Sequence, residues 1–209
     1  MYSVNEWYVM LEVFDKKTCN KLKSLANNWE EAMVDTQQGI SEEERLTGVK
    51  GDFKADSQIR ISDVYWTNDQ WVYDTIWPYM KEANEISGWR YDITAAEPMQ
   101  ITRYQKGGFY KFHRDGMGDH LSVFKDPSNE WRYNKVRKLS MTVLLNDAYE
   151  GGEFQFASYS KLKGLVTKPE FEKTGSIIVF PSWMEHRVAP ITKGIRYSLV
   201  CWFLGPPFV

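Results

Sequence analysis

The 209-residue sequence predicts an α+β, mainly β protein: a two-sheet jelly roll with N-terminal helices packed on one outer face. Three observations lead there. From Pro98 onward, short apolar or alternating segments are separated by turn residues. Helical spacing of apolar residues is confined to the first 97 positions, and neither a repeat nor a linker divides the chain. The expected organisation is therefore one domain over 1–209, with 1–97 a mainly helical support and 98–209 the β core.

Asp15 is a candidate cap for a helix running through about Met33, on which Leu22, Leu25, Ala26 and Trp29 recur at helical spacing. Gln37 to Asp56 carries Gly39, Gly48, Gly51 and many charges without a period, and reads as a loop. Ile59, Ile61 and Val64 suggest a short strand. Asn68 or Asp69 can cap a second helix, which either kinks or begins at Pro78. The expected core strands are Met99–Tyr104, Phe109–His113, Leu139–Leu145, Glu153–Ala157, Gly175–Phe180, His186–Pro190 and Arg196–Leu204, with a further pair possible between Leu162 and Lys173. Glu150-Gly151-Gly152-Glu153 and Pro169 punctuate them.

Composition narrows the function classes. A hydrophobic content of 43% and an aromatic content of 15% can supply a core for a chain of this length, which excludes a disordered or fibrous protein. No run of 18 or more apolar residues occurs, and residues 1–10 lack a basic stretch followed by an apolar one. Neither a membrane span nor a signal peptide is expected, and a cytoplasmic location is. Cys19 and Cys201 form no CxxC pair and are expected as small buried apolar groups. A net charge of −2 offers no general attraction for phosphate backbones. The local cluster Arg132, Lys135, Arg137 and Lys138 reads as a solvated loop, so nucleic acid is a disfavoured partner.

The chemistry concentrates in three places. His113-Arg114-Asp115 is followed 73 positions later by His186 and ten after that by Arg196, in a chain with 3 histidines. Two imidazoles and one carboxylate on one face of a metal leave the opposite face open, as suits Fe(II) that must bind a cosubstrate and O2 together. On an extended segment His113 and Asp115 point to the same side, and His186 can reach them from a later strand. Arg196 and Ser198 likewise share a side, and a buried guanidinium beside a hydroxyl is a clamp for a carboxylate. An anionic cosubstrate is implied. His120 breaks the spacing and reads as an exposed loop residue, whereas Arg187 should face away from His186 in a surface or inter-strand role.

These residues carry a resemblance to a known family. Arg103 to Asp115 (RYQKGGFYKFHRD), Leu145-Asn146-Asp147 with Glu150-Gly151-Gly152-Glu153, Gly175 to Pro181, His186 to Ile191, and Gly194 to Ser198 together resemble the prolyl 4-hydroxylase-type Fe(II)/2-oxoglutarate-dependent dioxygenases, bacterial and viral forms included. The match covers essentially the second half of the chain; Cys19 and Arg60 to Trp66 agree more weakly. The resemblance implies a double-stranded β-helix (jelly-roll, cupin-like) core, with His113, Asp115 and His186 as iron ligands. It implies Arg196, with Ser198 and Tyr104, as the 2-oxoglutarate site, and Fe(II), 2-oxoglutarate and O2 as cofactors, with ascorbate as an accessory reductant. Trp202 matches a site-lining tryptophan of the oxygen-sensing branch. Many collagen-type members have lysine where Arg196 stands, so the arginine is closer to the oxygen-sensing and bacterial branches. Family members that halogenate have a small residue at the position of Asp115, which makes hydroxylation the expected reaction.

The expected activity is hydroxylation of a prolyl residue in a peptide or protein, with succinate and CO2 as coproducts. Phe124 to Lys138 resembles the family's substrate-covering loop, and places Trp131 and Tyr133, with Tyr110, as candidate substrate contacts. Two alternatives stay open. The same chemistry can act on a free amino acid, a lysyl side chain or an alkylated base, although the base-repair branch has a second arginine where this chain has Trp202. A non-enzymatic metal-binding jelly roll would leave Arg196 and Ser198 without a role.

Overall fold

The computed structural model describes residues 4–35, 53–116, 123–157 and 166–208. Its N-terminal part alternates short strands with two helices. These are β1 (Tyr8–Met10), α1 (Lys16–Leu25), β2 (Glu30–Glu31), β3 (Val34–Asp35), β4 (Phe53–Lys54), β5 (Arg60–Ile61), β6 (Asp63–Thr67) and α2 (Gln70–Ile86). There follow β7 (Ala95–Ala96), β8 (Met99–Tyr104), β9 (Phe109–His113), β10 (Val136–Leu144), β11 (Tyr149–Gly151), β12 (Phe154–Ala157) and β13 (Val166–Thr167). The last four are β14 (Ile177–Pro181), β15 (His186–Val188), β16 (Ile191–Gly194) and β17 (Arg196–Gly205).

A large sheet in the order β1-β14-β10-β17-β8-β6-β2, with β7 added to β17, faces a smaller sheet ordered β13-β12-β15-β9-β5. This is a double-stranded β-helix. The pairings within both sheets are antiparallel, and strand alternation sorts the residues of the large sheet into two sets. Leu139, Met141, Val143, Leu199, Cys201, Phe203, Met99, Ile101, Ile177 and Val179 form one buried cluster with Cys19 and Leu22 of α1 and Val72, Ile76, Met80 and Ala83 of α2. The other set meets the small sheet. It is apolar toward β14, where Ile178, Phe180 and Leu144 pack with Phe154, Phe156 and Val188. Along β8, β10 and β17 it is polar, with Gln100, Thr102, Ser140, Thr142, Arg196 and Ser198 all buried. A buried polar lining has to be hydrogen-bonded or to serve a ligand.

Several sequence expectations are corrected. α1 starts where Asp15 caps it, its carboxylate accepting from the Thr18 amide at 2.7 Å, but it ends at Leu25 rather than near Met33. Asn27 and Asn28, which favour turns, break it, and Glu30–Glu31 pair with β6 instead. Trp29 is therefore not a helical packing residue, and Arg103 lies 4.4 Å from its ring. Pro78 lies within the continuous helix α2. Its exposed position leaves the stripe Val72, Ile76, Met80 and Ala83 buried on both sides of it, which offsets the missing backbone hydrogen bond. The basic cluster is not a solvated loop throughout. β10 begins at Val136, so Arg137 and Lys138 enter the sheet, and Lys138 is only 5% exposed with its ammonium 3.2 Å from the Phe208 ring centre. His120 lies outside the described residues. Cys19 and Cys201 are both buried free thiols, and Arg187 bridges strands, its Nε donating to Gln155 Oε1 at 2.7 Å.

Candidate metal centre

β9 and β15 pair antiparallel with His113 opposite His186, which brings the two imidazoles together at one mouth of the barrel. Asp115 follows two residues after His113 and is tethered there, its amide donating to the Ser182 carbonyl at 2.9 Å. The ligand atoms of His113, Asp115 and His186 all lie within 4.8 Å of one another, and the Nε2 atoms of both histidines are 3.6 Å from Asp115 carboxylate oxygens. Each imidazole uses Nδ1 elsewhere: His113 donates to the Lys111 carbonyl and His186 to the Met184 carbonyl, both at 2.9 Å. That tautomer leaves each Nε2 lone pair aimed at the cluster, as metal ligation requires.

Electrostatics keep Asp115 ionised and His186 neutral. Burial, followed by the neighbouring His113, pushes His186 down to about 4, against the pull of Asp115 and the Met184 carbonyl. Burial alone would raise Asp115, but His186, His113 and Arg137 outweigh it and hold the carboxyl well below the usual range. At neutral pH Asp115 is ionised and His186 is neutral.

A supporting shell surrounds it. Ser140 Oγ donates to Asp115 Oδ2 at 2.7 Å and contacts Ser182 Oγ at 2.9 Å. Arg137 donates through Nη1 to the Asp115 carbonyl at 3.1 Å and grips Glu97 through Nε and Nη2 at 2.5 and 2.7 Å. Tyr110 stacks on His113 with ring centres 3.5 Å apart and a 16° tilt. Burial pushes the Tyr110 phenol up to about 12, so it stays protonated.

Deeper in the barrel, Arg196 is 1% exposed and sits opposite Tyr104 in the β8–β17 ladder, its guanidinium 5.8 Å from the Tyr104 ring centre. Its Nη1 donates to Ser198 Oγ at 3.1 Å, while Nε has no partner. Among the described residues no carboxylate pairs with it. A buried guanidinium without a counter-ion is costly, and an anionic ligand removes that cost. Trp202, 7% exposed, likewise keeps an unpartnered buried Nε1, with Arg137 over one ring face at 4.4 Å and Trp66 at 5.9 Å. Of the remaining sequence candidates, Tyr110 joins the centre through His113. Trp131 and Tyr133 stand 40% and 48% exposed on the 123–135 segment, where the Trp131 ring meets Arg132 of the same segment.

Sequence reasoning missed Ser140, Ser182, Arg137 and Glu97. Ser140 and Thr142 alternate with Leu139, Met141 and Val143, a period-two signal that places the hydroxyls on the opposite face from the apolar residues. Nothing local marks Glu97, whose partner is 40 residues away.

A jelly roll with two histidines and one carboxylate at its mouth and a buried arginine within defines a class of metal-dependent oxygenase sites. The profile of the 2OG-Fe(II) oxygenase superfamily matches residues 99–204, and the chain belongs to that family. A PKHD-type hydroxylase of Xylella fastidiosa is 36% identical over 110 residues, covering 50% of this chain and 43% of the relative. PKHD-type hydroxylase YbiX of Escherichia coli is 31% identical over 117 residues, or 52% and 43% of the two chains. The chain thus spans less than half the length of these curated relatives. Among solved structures, a Pseudomonas putida prolyl-4-hydroxylase has a TM-score of 0.61 at 17% identity over 95% of this chain and 91% of that one. A viral collagen prolyl hydroxylase from Paramecium Bursaria Chlorella virus-1, in a 2OG complex, also scores 0.61, at 19% identity over 96% and 97%. At such identities the structural likeness concerns the fold. Among the described residues, no helix is long and apolar enough to cross a membrane.

Proposed function

We propose that this chain is an Fe(II)- and 2-oxoglutarate-dependent hydroxylase that oxidises a prolyl residue in a peptide or protein, releasing succinate and CO2. The observation that carries the reading is the pairing of the His113–Asp115–His186 cluster at the barrel mouth with the guanidinium of Arg196 inside, which no carboxylate of the described residues neutralises. The donor set suits Fe(II), and the orphaned Arg196 Nε suits a ligand carboxylate. When bound, the iron and 2-oxoglutarate would supply, with O2 as the oxidant, the chemistry that places one oxygen atom in a C–H bond and the other in succinate, with loss of CO2.

The protein's own residues hold and shield. His113, Asp115 and His186 hold the metal, with Ser140 and Arg137 fixing the carboxylate. Arg196 and Ser198 bind the far carboxylate of 2-oxoglutarate, and the Tyr104 ring walls that pocket. Trp202 keeps a buried, unpartnered Nε1 that can donate to a ligand, and Tyr110 fixes the His113 ring. The hydroxylase reaction is supported by PKHD-type hydroxylase relatives, and the prolyl substrate by a fold shared with prolyl hydroxylases. The test is a panel of proline-containing peptides, free amino acids and lysyl peptides incubated with Fe(II), 2-oxoglutarate and O2. A gain of one oxygen on a prolyl peptide, with succinate formation lost in His113→Ala and Asp115→Ala, is the expected result. Modification restricted to free amino acids or lysyl peptides refutes the prolyl substrate, and undiminished turnover in both variants refutes the metal site.

A further inference from the structure

The start of β10 departs from the alternation that builds the rest of the strand. Ser140 and Thr142 lie on the polar inner face, so an unbroken strand would put Lys138 beside them and turn Arg137 outward with Leu139. The opposite is found. Arg137 and Ser140 both reach Asp115, at 3.1 and 2.7 Å. The change of face comes from a β-bulge, in which Arg137 stands opposite Leu204 and Leu139 opposite Phe203, with Lys138 as the extra residue. A bulge re-aims a side chain by giving up ladder pairing, so its register has to be held by other contacts.

Lys138 supplies those contacts from both its backbone and its side chain. Its carbonyl accepts from the Ser182 amide at 3.0 Å, and the Ser182 carbonyl in turn accepts from the amides of Asp115 and Gly116 at 2.9 and 3.2 Å. Its buried side chain carries the ammonium to 3.2 Å from the ring centre of Phe208 and 5.7 Å from that of Tyr91. The two rings meet edge to face at 5.2 Å. A desolvated cation over an aromatic face is attracted by the ring quadrupole. Gly205 closes the space beside the stem, since a Cβ there would stand 3.3 Å from Lys138 Cγ.

Resting on the metal-site reading above, we propose that the clamp of Phe208 and Tyr91 on Lys138 fixes this bulge and so aims Arg137 at Asp115. Lys138 and Phe208 are positioning residues for the metal carboxylate, acting through Arg137.

The test is the Co(II) affinity of the full chain, measured beside the thermal midpoint of the metal-free protein. Phe208→Leu keeps an apolar side chain and removes the ring face, whereas Lys138→Met keeps the length and removes the charge. Each should weaken Co(II) binding about fivefold, less than the roughly 10- to 100-fold usual for a direct partner of a ligand, and Phe208→Tyr should bind as the wild type does. Phe208 is 38% exposed, so the fold should persist, which the midpoint checks. In the Glu97→Gln/Arg137→Gln protein, Phe208→Leu should change Co(II) affinity no further, a silence that a general loosening of the fold would not give. Wild-type Co(II) affinity in either single variant overturns the clamp, and so does an undiminished loss in the protein without Arg137. A wild type that binds no Co(II) overturns the metal reading and the clamp with it.

Discussion

Arg137 joins the candidate metal carboxylate to a buried acid 40 residues away: its Nη1 donates to the Asp115 carbonyl at 3.1 Å while Nε and Nη2 close on Glu97. The Glu97 side chain is 9% exposed, so removing the guanidinium strands a buried charge. Arg137→Ala should therefore cost about 3 kcal/mol or more of stability and loosen Asp115. Urea unfolding of the metal-free variant measures the first effect, and titration with Co(II), a redox-quiet stand-in for Fe(II), measures the second.

Ser140 separates positioning from folding. Its hydroxyl donates to Asp115 Oδ2 from the interior of a central strand. Ser140→Ala removes one hydrogen bond and little volume, so the fold should persist while metal affinity falls roughly 10- to 100-fold, the usual effect of losing a residue that orients a ligand. Co(II) affinity equal to wild type would show that Asp115 is held adequately by its backbone alone.

Gly152 lies behind Arg196. Its φ is +68°, and a Cβ there would stand 2.2 Å from Ile191 Cδ1 and 3.2 Å from Arg196 Cδ. Gly152→Ala combines a disfavoured backbone with overpacking, each worth about 1–3 kcal/mol. The expected outcome is a lower thermal midpoint together with a raised 2-oxoglutarate requirement, because Ile191 and Arg196 must both shift. An unchanged 2-oxoglutarate requirement in a destabilised variant would place the whole strain on Ile191.

The metal-free protein should lose stability in acid. The folded-state value of His186 is lowered to about 4, mainly by burial, from an ordinary 6.5. Between those values the unfolded chain binds the extra proton, so stability is intact above pH 6.5 and declines as the pH falls toward 4, by up to about 3 kcal/mol. Urea midpoints across that interval check the slope, and His186→Gln, which cannot titrate, should flatten it.

Much of this arrangement was readable in the sequence because it depends on local geometry. β8 and β9 have the limits that alternation and turn residues predict, and the i, i+2 spacings of His113 with Asp115 and Arg196 with Ser198 put each pair on one side of an extended segment. What was not readable depends on tertiary choice. The end of α1 is set by the competing pairing of Glu30–Glu31 with β6, and the start of β10 by a register that draws Arg137 toward Glu97. An arginine in a basic run looks like solvent-facing charge until its distant carboxylate partner is placed beside it.

The most direct test of the central claim is an anaerobic titration of the metal-free protein with Fe(II) and 2-oxoglutarate, followed through the weak visible charge-transfer band of a chelated keto acid. The account predicts that the band appears with the wild type and is lost in Arg196→Ala at limiting 2-oxoglutarate. No band despite confirmed iron binding, or a band indifferent to Arg196, would contradict it.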